Sequence, residues 1–476
     1  MNILYAASEA NPFAKSGGLA DVAGSLPKAL VKDGVDCRVV MPLYGDLKMR
    51  DKLTYVTNFS VPVGWRSQYC GLFTAEVDGV TYYFLDNEYY FKRSGLYGFY
   101  DDGERFAFFS RAVLEMLFYL DYTPDIINCN DWQTALTPVY LNLYYRHLDK
   151  FSRIKTVFTI HNIAYQGKYG LEILEDTCGI GRRDQHILEY DGCANFMKGA
   201  IECADKVTTV SPTYAGEILD PWFSYGLDRL LREKQYKLCG ILNGIDMERN
   251  DPETDPALVA HYNVKNFDKK DSGKVKCKQA LQEHFGLQQD GSPVFAVVSR
   301  LVGMKGLDLL QSISDKLVCD EGVELVVLGT GEYGYENFFS ELAARHPGRV
   351  GVHIGFDPKL AQQIYAGADV FIMPSKSEPC GLAQMVACRY GTAPIVRETG
   401  GLRDSIQDCT AGKGNGFTFA EYSAHALYNA CWRAKELYWK KDDWKHLVQY
   451  AMSCDFSWDI SAKSYEGLYN ETVNLW

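Results

Sequence analysis

No stretch of this 476-residue chain approaches the ~18 consecutive apolar residues of a membrane-spanning helix. No basic segment precedes an apolar core in its first residues, MNILYAASEA, so a cytoplasmic protein is expected. Positive charge is in deficit: 49 Lys and Arg face 61 Asp and Glu, a net charge of −12. That balance argues against a nucleic-acid partner or an anionic membrane, and any anionic ligand would need a local basic pocket. The 14 cysteines are scattered, with no Cys-x-x-Cys pair and no Cys/His cluster at zinc spacing. Free thiols in a reducing compartment fit this usage better than a disulfide framework. There is no Asp-x-Asp triplet to hold a metal–diphosphate pair, no internal repeat and no low-complexity tract.

What remains is an ordinary globular composition, 47% hydrophobic and 23% charged. The length is comfortable for two domains. The 32 tyrosines suit stacking on sugars, although tyrosine is equally a routine core and surface residue. The pattern along the chain is α/β. Asn2–Ala7 reads as a short strand, followed by a loop from Ser8 to Gly18 and a helix from about Leu19. Gly17 and Gly18 allow close backbone approach to a ligand, with Lys15 just ahead as a mobile cation. Lys15-Ser-Gly-Gly lacks the spacing of a Walker loop or of G-x-G-x-x-G. Asp21 falls in the first helical turn, where a carboxylate favours the helix dipole. Cys37–Met41 is a second strand. Short alternating runs from Leu53 to Leu85, with Asp78-Gly79 as a hairpin turn, suggest an inserted antiparallel piece.

Asp125–Cys129 is a strand leading to Asp131, which is either the N-cap of the next helix or a ligand-facing residue. Lys155–Ile160 places His161 at its carboxyl end, the edge where ligands of open α/β sheets lie, although a lone histidine is often structural. Lys168–Gly192 reads as a polar loop, and Asp251–Ser292 as the connection between domains. A second α/β series starts at Pro293. Arg300 and Lys305 lie five apart in a strand–helix turn, a pattern that fits a pyrophosphate or, alternatively, surface salt bridges. Phe356, beyond a further strand, is a stacking platform for a base or a core aromatic.

Asp369–Met373 is a continuous apolar strand. The turn after it carries Glu378, Pro379, Cys380 and Gly381, then an apolar helix from about Leu382 to Arg389. Such a strand–turn–helix unit favours an anion at its mouth, beside which Glu378 suits the hydroxyls of a neutral polyol.

Glu378-Pro-Cys-Gly-Leu382, Gly391-Thr392 and Thr399-Gly-Gly-Leu402 together resemble the nucleotide-sugar loop of bacterial glycogen synthases and plant starch synthases. Lys15-Ser-Gly-Gly-Leu19 resembles the family's other signature, and the likeness runs the length of the chain. It implies the GT-B architecture: two Rossmann-like domains facing across a cleft. The expected division is 1–246, on the acceptor side and completed by a C-terminal helix at about 459–476, and 247–458, which binds the nucleotide sugar. The implied reaction is transfer of glucose from ADP-glucose to the non-reducing end of an α-1,4-glucan with retention of configuration. Neither a metal nor pyridoxal phosphate is expected, and ADP-glucose and glycogen chains are the expected partners. Glu378, His161, Arg300 and Lys305 are the implied catalytic residues. Lys15, Gly17, Gly18, Asp131, Asn243, Phe356, Cys380, Gly381 and Leu382 are the implied donor-binding set. The segment around Asp131 departs from the family's His-x-Asp-Trp, with Cys129 or Asn130 where a His is common. The alternatives are a silent glucan-binding scaffold, an epimerase or a phosphorylase on the same fold; no residue separates ADP- from UDP-glucose.

Overall fold

Ile3–Ala6, Val39–Met41, Ile126–Cys129 and Val157–Ile160 are buried runs with little polar alternation, the mark of parallel strands covered on both faces. In the computed structural model, which describes residues 1–475, they form the centre of one of two units. The first unit comprises Met1–Asn243 and Trp458–Trp476; the second is Gly244–Ser457. Trp476, the last residue of the expected closing helix, lies outside the described residues.

The first unit is built on β1 (Asn2–Ala6), β2 (Asp36–Pro42), β3 (Thr54–Val63), β4 (Arg66–Val77), β5 (Val80–Asp86), β6 (Ile126–Asn130) and β7 (Lys155–Ile160). It adds β8 (Lys168–Tyr169), β9 (Glu189–Tyr190), β10 (Cys193–Asn195), β11 (Lys206–Thr209) and β12 (Leu238–Gly240). Nine strands make one sheet in the order β12-β11-β7-β6-β1-β2-β5-β4-β3. Its order reverses between β1 and β6, where a doubly wound sheet opens a crevice beyond its strand ends.

Three expectations need correction here. The alternating segment is not a separate insertion. β5 pairs in parallel with β2, and only β4 and β3 continue the sheet antiparallel. Lys168–Gly192 is not simply a polar loop: β8 and β9 within it pair with β10, and Glu172–Asp176 is helical. Its polar residues face outward, which hid the strands from a reading based on apolar runs. Asp251–Ser292 is part of the second unit, because it contains the helix Gly273–Phe285. That helix carries Lys274, whose ammonium donates to the Ala368 and Tyr390 carbonyls and to Thr392 Oγ1 at 2.7–3.0 Å.

The helix Trp458–Val473 packs into the first unit, where Lys32 meets Asp459 at 2.7 Å and the Tyr469 hydroxyl donates to Asn128 Oδ1 at 3.0 Å. The second unit is a parallel six-stranded sheet of β13 (Val294–Val298), β14 (Glu324–Gly329), β15 (Val350–Ile354), β16 (Val370–Met373), β17 (Ala393–Arg397) and β18 (Phe417–Phe419). Its order, β15-β14-β13-β16-β17-β18, is that of a dinucleotide-binding sheet, with the reversal between β13 and β16.

Candidate active site

The loops that leave β13 and β16, the two strands at the reversal, carry the second unit's candidate residues other than Phe356. A cavity of about 200 Å³ opens there, lined among others by Ser299, Arg300, Lys305, Ser375, Glu378 and Gly381. Lys305 Nζ lies 2.6 Å from Glu378 Oε2, and Ser375 Oγ donates to the same oxygen at 3.0 Å. Glu378 is only 8% exposed, so its charge is tolerated because Lys305 compensates it. Arg300 is exposed and has no ion pair or side-chain hydrogen bond among the described residues. A fixed ammonium and an uncommitted guanidinium thus border one pocket.

The Arg300 turn is braced by the loop after β14. Leu301 N–H donates to Thr330 O at 2.9 Å and Glu332 N–H to Leu301 O at 2.7 Å. The approach is close enough that a Cβ on Gly329 would lie 2.0 Å from Ser299 O, and one on Gly331 2.4 Å from Leu301 O. Gly329-Thr-Gly-Glu-Tyr-Gly334 between a strand and a helix has G-x-G-x-x-G spacing, a signal that could have found this brace from sequence. The Glu378 loop is seated in the same way by Thr399–Leu402. Gly401 N–H donates to the Glu378 carbonyl at 3.1 Å. At Gly400, with φ of +45°, a Cβ would fall 1.9 Å from that carbonyl.

The helix after Gly381 spans Ala383–Arg389, and Gly381, Leu382 and Ala383 line the same pocket as Arg300 and Lys305. Cys380 is buried and Leu382 half-buried, both in the turn itself. Phe356 is 87% exposed just beyond β15, which excludes the core-aromatic alternative. Tyr333, exposed at the start of the helix after β14, stands at the same carboxyl edge of the sheet.

The first unit gathers a different set at its own reversal. Asp131 is not a side-chain N-cap. It follows β6 with φ of +56° and ψ of −179°, a region normally left to glycine. Its Oδ1 instead accepts from the backbone N–H groups of His161 at 2.7 Å and Asn162 at 3.4 Å. Burial lifts the Asp131 carboxyl to about 7, against those two hydrogen bonds, with the nearby Glu9 adding to the rise. His161 Nε2 is 2.9 Å from Asn130 Oδ1, and burial pushes its imidazole down to about 3. Lys15 is not a free cation, since its ammonium pairs with Asp21 at 2.7 Å. Gly17 and Gly18 form the approach to the helix Gly18–Lys32. Glu9 holds that loop: its Oε2 accepts from the N–H groups of Ser16 and of Gly17, the latter at 3.3 Å. Its carboxyl is raised, chiefly by burial. Glu9 was missed because a lone acidic residue in a loop carries no periodic signal. Asn243, the last residue of the first segment, is buried with Oδ1 lacking a hydrogen-bond partner among the described residues.

Among the described residues no group of three or more His, Cys, Asp or Glu could hold a metal ion, and no helix is long and apolar enough to cross a membrane. Residues 2–233 match the family model of the starch synthase catalytic domain, and residues 280–446 that of glycosyl transferases group 1. The chain is 49% identical over 480 residues to a glycogen synthase of Geobacillus thermodenitrificans, covering 99% of this chain and 98% of that one. It is 48% identical over 477 residues to that of Clostridium acetobutylicum, at 98% and 99% coverage. The catalytic domain of starch synthase IV from Arabidopsis thaliana, solved bound to ADP and acarbose, superposes with a TM-score of 0.90 at 35% identity, over 100% of this chain and 99% of that one. Sucrose-phosphate synthase from Thermosynechococcus elongatus, 16% identical, shares the GT-B fold at a TM-score of 0.61 over 99% of this chain and 98% of its own.

Proposed function

The chain belongs to the glycogen and starch synthase family of glycosyltransferases, and from that premise we propose that it extends an α-1,4-glucan with glucose taken from ADP-glucose, retaining configuration. The observation that carries this reading is the Arg300–Lys305–Glu378 pocket at the strand-order reversal of the second unit. Departure of a nucleoside diphosphate develops negative charge on its bridging oxygen, and fixed cations stabilise that charge. Arg300 offers a planar fork without a competing partner, and Lys305 a point charge.

Glu378 has two tasks in this scheme. Its Oε2 orients Lys305, and Oε1 is left to accept sugar hydroxyls. Because the ammonium neutralises it, the carboxylate does not repel the diphosphate as a bare charge would. In the first unit His161 is neutral near pH 7, its backbone fixed by Asp131, and suits a sugar hydroxyl. Lys15 and the Gly17–Gly18 loop belong to the donor-binding set. Adenine rather than uracil as the donor's base is supported by the ADP bound in the starch synthase structure.

The test is incorporation of radiolabelled glucose into glycogen from ADP-glucose and, in parallel, from UDP-glucose. Chain extension with matching ADP release is expected. The reading is overturned by a preference for UDP-glucose, by absence of incorporation from either donor, or by release of glucose 1-phosphate from glycogen and phosphate.

A further inference from the structure

We propose that Asn130 is a positioning residue that locks the His161 ring in the tautomer with hydrogen on Nε2, so that Nδ1 offers a lone pair to a hydroxyl of the bound sugar. The hydroxyl rests on the function proposed above; the tautomer does not. Asn130 is the last residue of β6 and the neighbour of Asp131.

The argument begins with which way the Asn130 amide faces. The residue is fully buried at the end of β6, and its Nδ2 lies 2.9 Å from Ala6 O and 3.3 Å from Asn128 O. Both are carbonyls and can only accept, so the NH₂ must face them; the flipped amide would set oxygen against oxygen twice. Oδ1 is thereby turned toward two other groups, the Tyr5 hydroxyl at 2.9 Å and His161 Nε2 at 2.9 Å. An amide oxygen only accepts, so both of these must donate. Tyr5 is fully buried and its phenol is raised well above its ordinary range by that burial, which keeps its hydrogen in place. His161 therefore carries hydrogen on Nε2.

The second ring nitrogen follows. Burial holds the imidazole neutral near pH 7, so with Nε2 protonated Nδ1 is bare. Among the described residues Nδ1 has no hydrogen-bond partner. Two adjacent residues thus hold His161 in complementary ways: Asp131 grips its backbone N–H, and Asn130 grips its ring. A bare Nδ1 accepts a hydroxyl hydrogen and has none to give, so His161 orients the sugar and does not serve as a general acid through that nitrogen.

The tautomer is read directly by nitrogen-15 NMR of the full chain labelled at histidine, with the His161 signals identified by their loss in His161→Gln. The expected pattern is a protonated Nε2 and an unprotonated Nδ1 through the neutral range. Tyr5→Phe, which removes only the other donor to Oδ1, should leave it unchanged. Asn130→Leu removes the acceptor and should release the tautomer, lowering kcat/KM by up to about tenfold, the worth of one misdirected hydrogen bond. Asn130→His combined with Tyr5→Phe, which gives one N–H for a carbonyl and one uncontested lone pair for His161, should restore the Nε2-protonated pattern. Hydrogen on Nδ1 in the unsubstituted protein overturns the proposal, and this needs no variant to fold. So does an unchanged His161 signal in a folded Asn130→Leu protein. A chain that shows the Nε2-protonated ring yet moves no glucose from either nucleotide sugar upholds the tautomer and overturns the functional reading alone.

Discussion

The two strand-order reversals of this chain are equipped in opposite ways. In the second unit the crevice beyond β13 and β16 is lined by full charges, with Arg300 exposed and Lys305 tied to Glu378. In the first unit the carboxyl ends of β6 and β7 hold groups that burial drives toward neutrality: His161 pushed down to about 3 and Asp131 up to about 7. Charge suits a leaving diphosphate, and neutral hydrogen-bonding groups suit an uncharged sugar. The same topology therefore supports both tasks, and the choice rests on which side chains the strand ends deliver.

The sharpest way to break this contrast is to remove the charges. Arg300→Ala should lower turnover by ~10²–10³ while shifting stability by no more than about 0.5 kcal/mol, because the side chain has no partner to lose. Lys305→Ala should lose turnover to a similar degree and also cost about 1–3 kcal/mol, since Glu378 is left buried with an uncompensated charge. Glu378→Gln keeps an acceptor for Lys305 and should fall between the two in stability. Kinetics with ADP-glucose and denaturant midpoints measured on the same preparations check these outcomes. Equal destabilisation by Arg300→Ala and Lys305→Ala would remove the distinction between a free cation and a paired one.

The neutral cluster is probed by pH. His161 has a folded pKa depressed from 6.5 to about 3, so its contribution is present above 6.5 and is lost as pH falls toward 3. Asp131 has a folded pKa raised from 3.8 to about 7, so its contribution is present below 3.8 and is lost as pH rises through 7. Across the window from about 4 to 6.5 the two slopes oppose one another. Asp131→Asn should expose the histidine slope, with stability falling on acidification by on the order of 1 kcal/mol per pH unit. His161→Gln should expose the reverse slope, with stability rising as pH falls from 7 to 4. Parallel pH profiles of the denaturant midpoint in the two variants would show that these groups are not held neutral. The smallest expected effect is that of metal removal: exhaustive chelation should leave turnover unchanged, and an activity abolished by chelation and restored by magnesium would place the leaving-group charge elsewhere.

Much of this was legible because the signals are local. Apolar runs such as Ile126-Ile127 and Val294–Val297 announce doubly covered strands, and the five-residue spacing of Arg300 and Lys305 falls wholly within one turn. The parts that were misread depend on partners. Asp131 has the chemistry of an N-cap, yet its carboxylate turns to the end of β7, a choice made by the pairing of β6 with β7. Lys15 reads as a free cation until the helix after it brings Asp21 to 2.7 Å. β8 and β9 are two residues each, too short for any period to show.

By itself, then, the sequence determined the α/β class, the elements of the parallel cores, the family and the residue types at the two loops. Periodicity, turn chemistry and motif spacing act over a few residues and survive without the fold. Only the tertiary structure decided that Lys305 is paired with Glu378, 73 residues away, and that His161 leans on Asn130, 31 residues before it. Strand order and register bring such groups together, and burial then dictates which of them keep their charge.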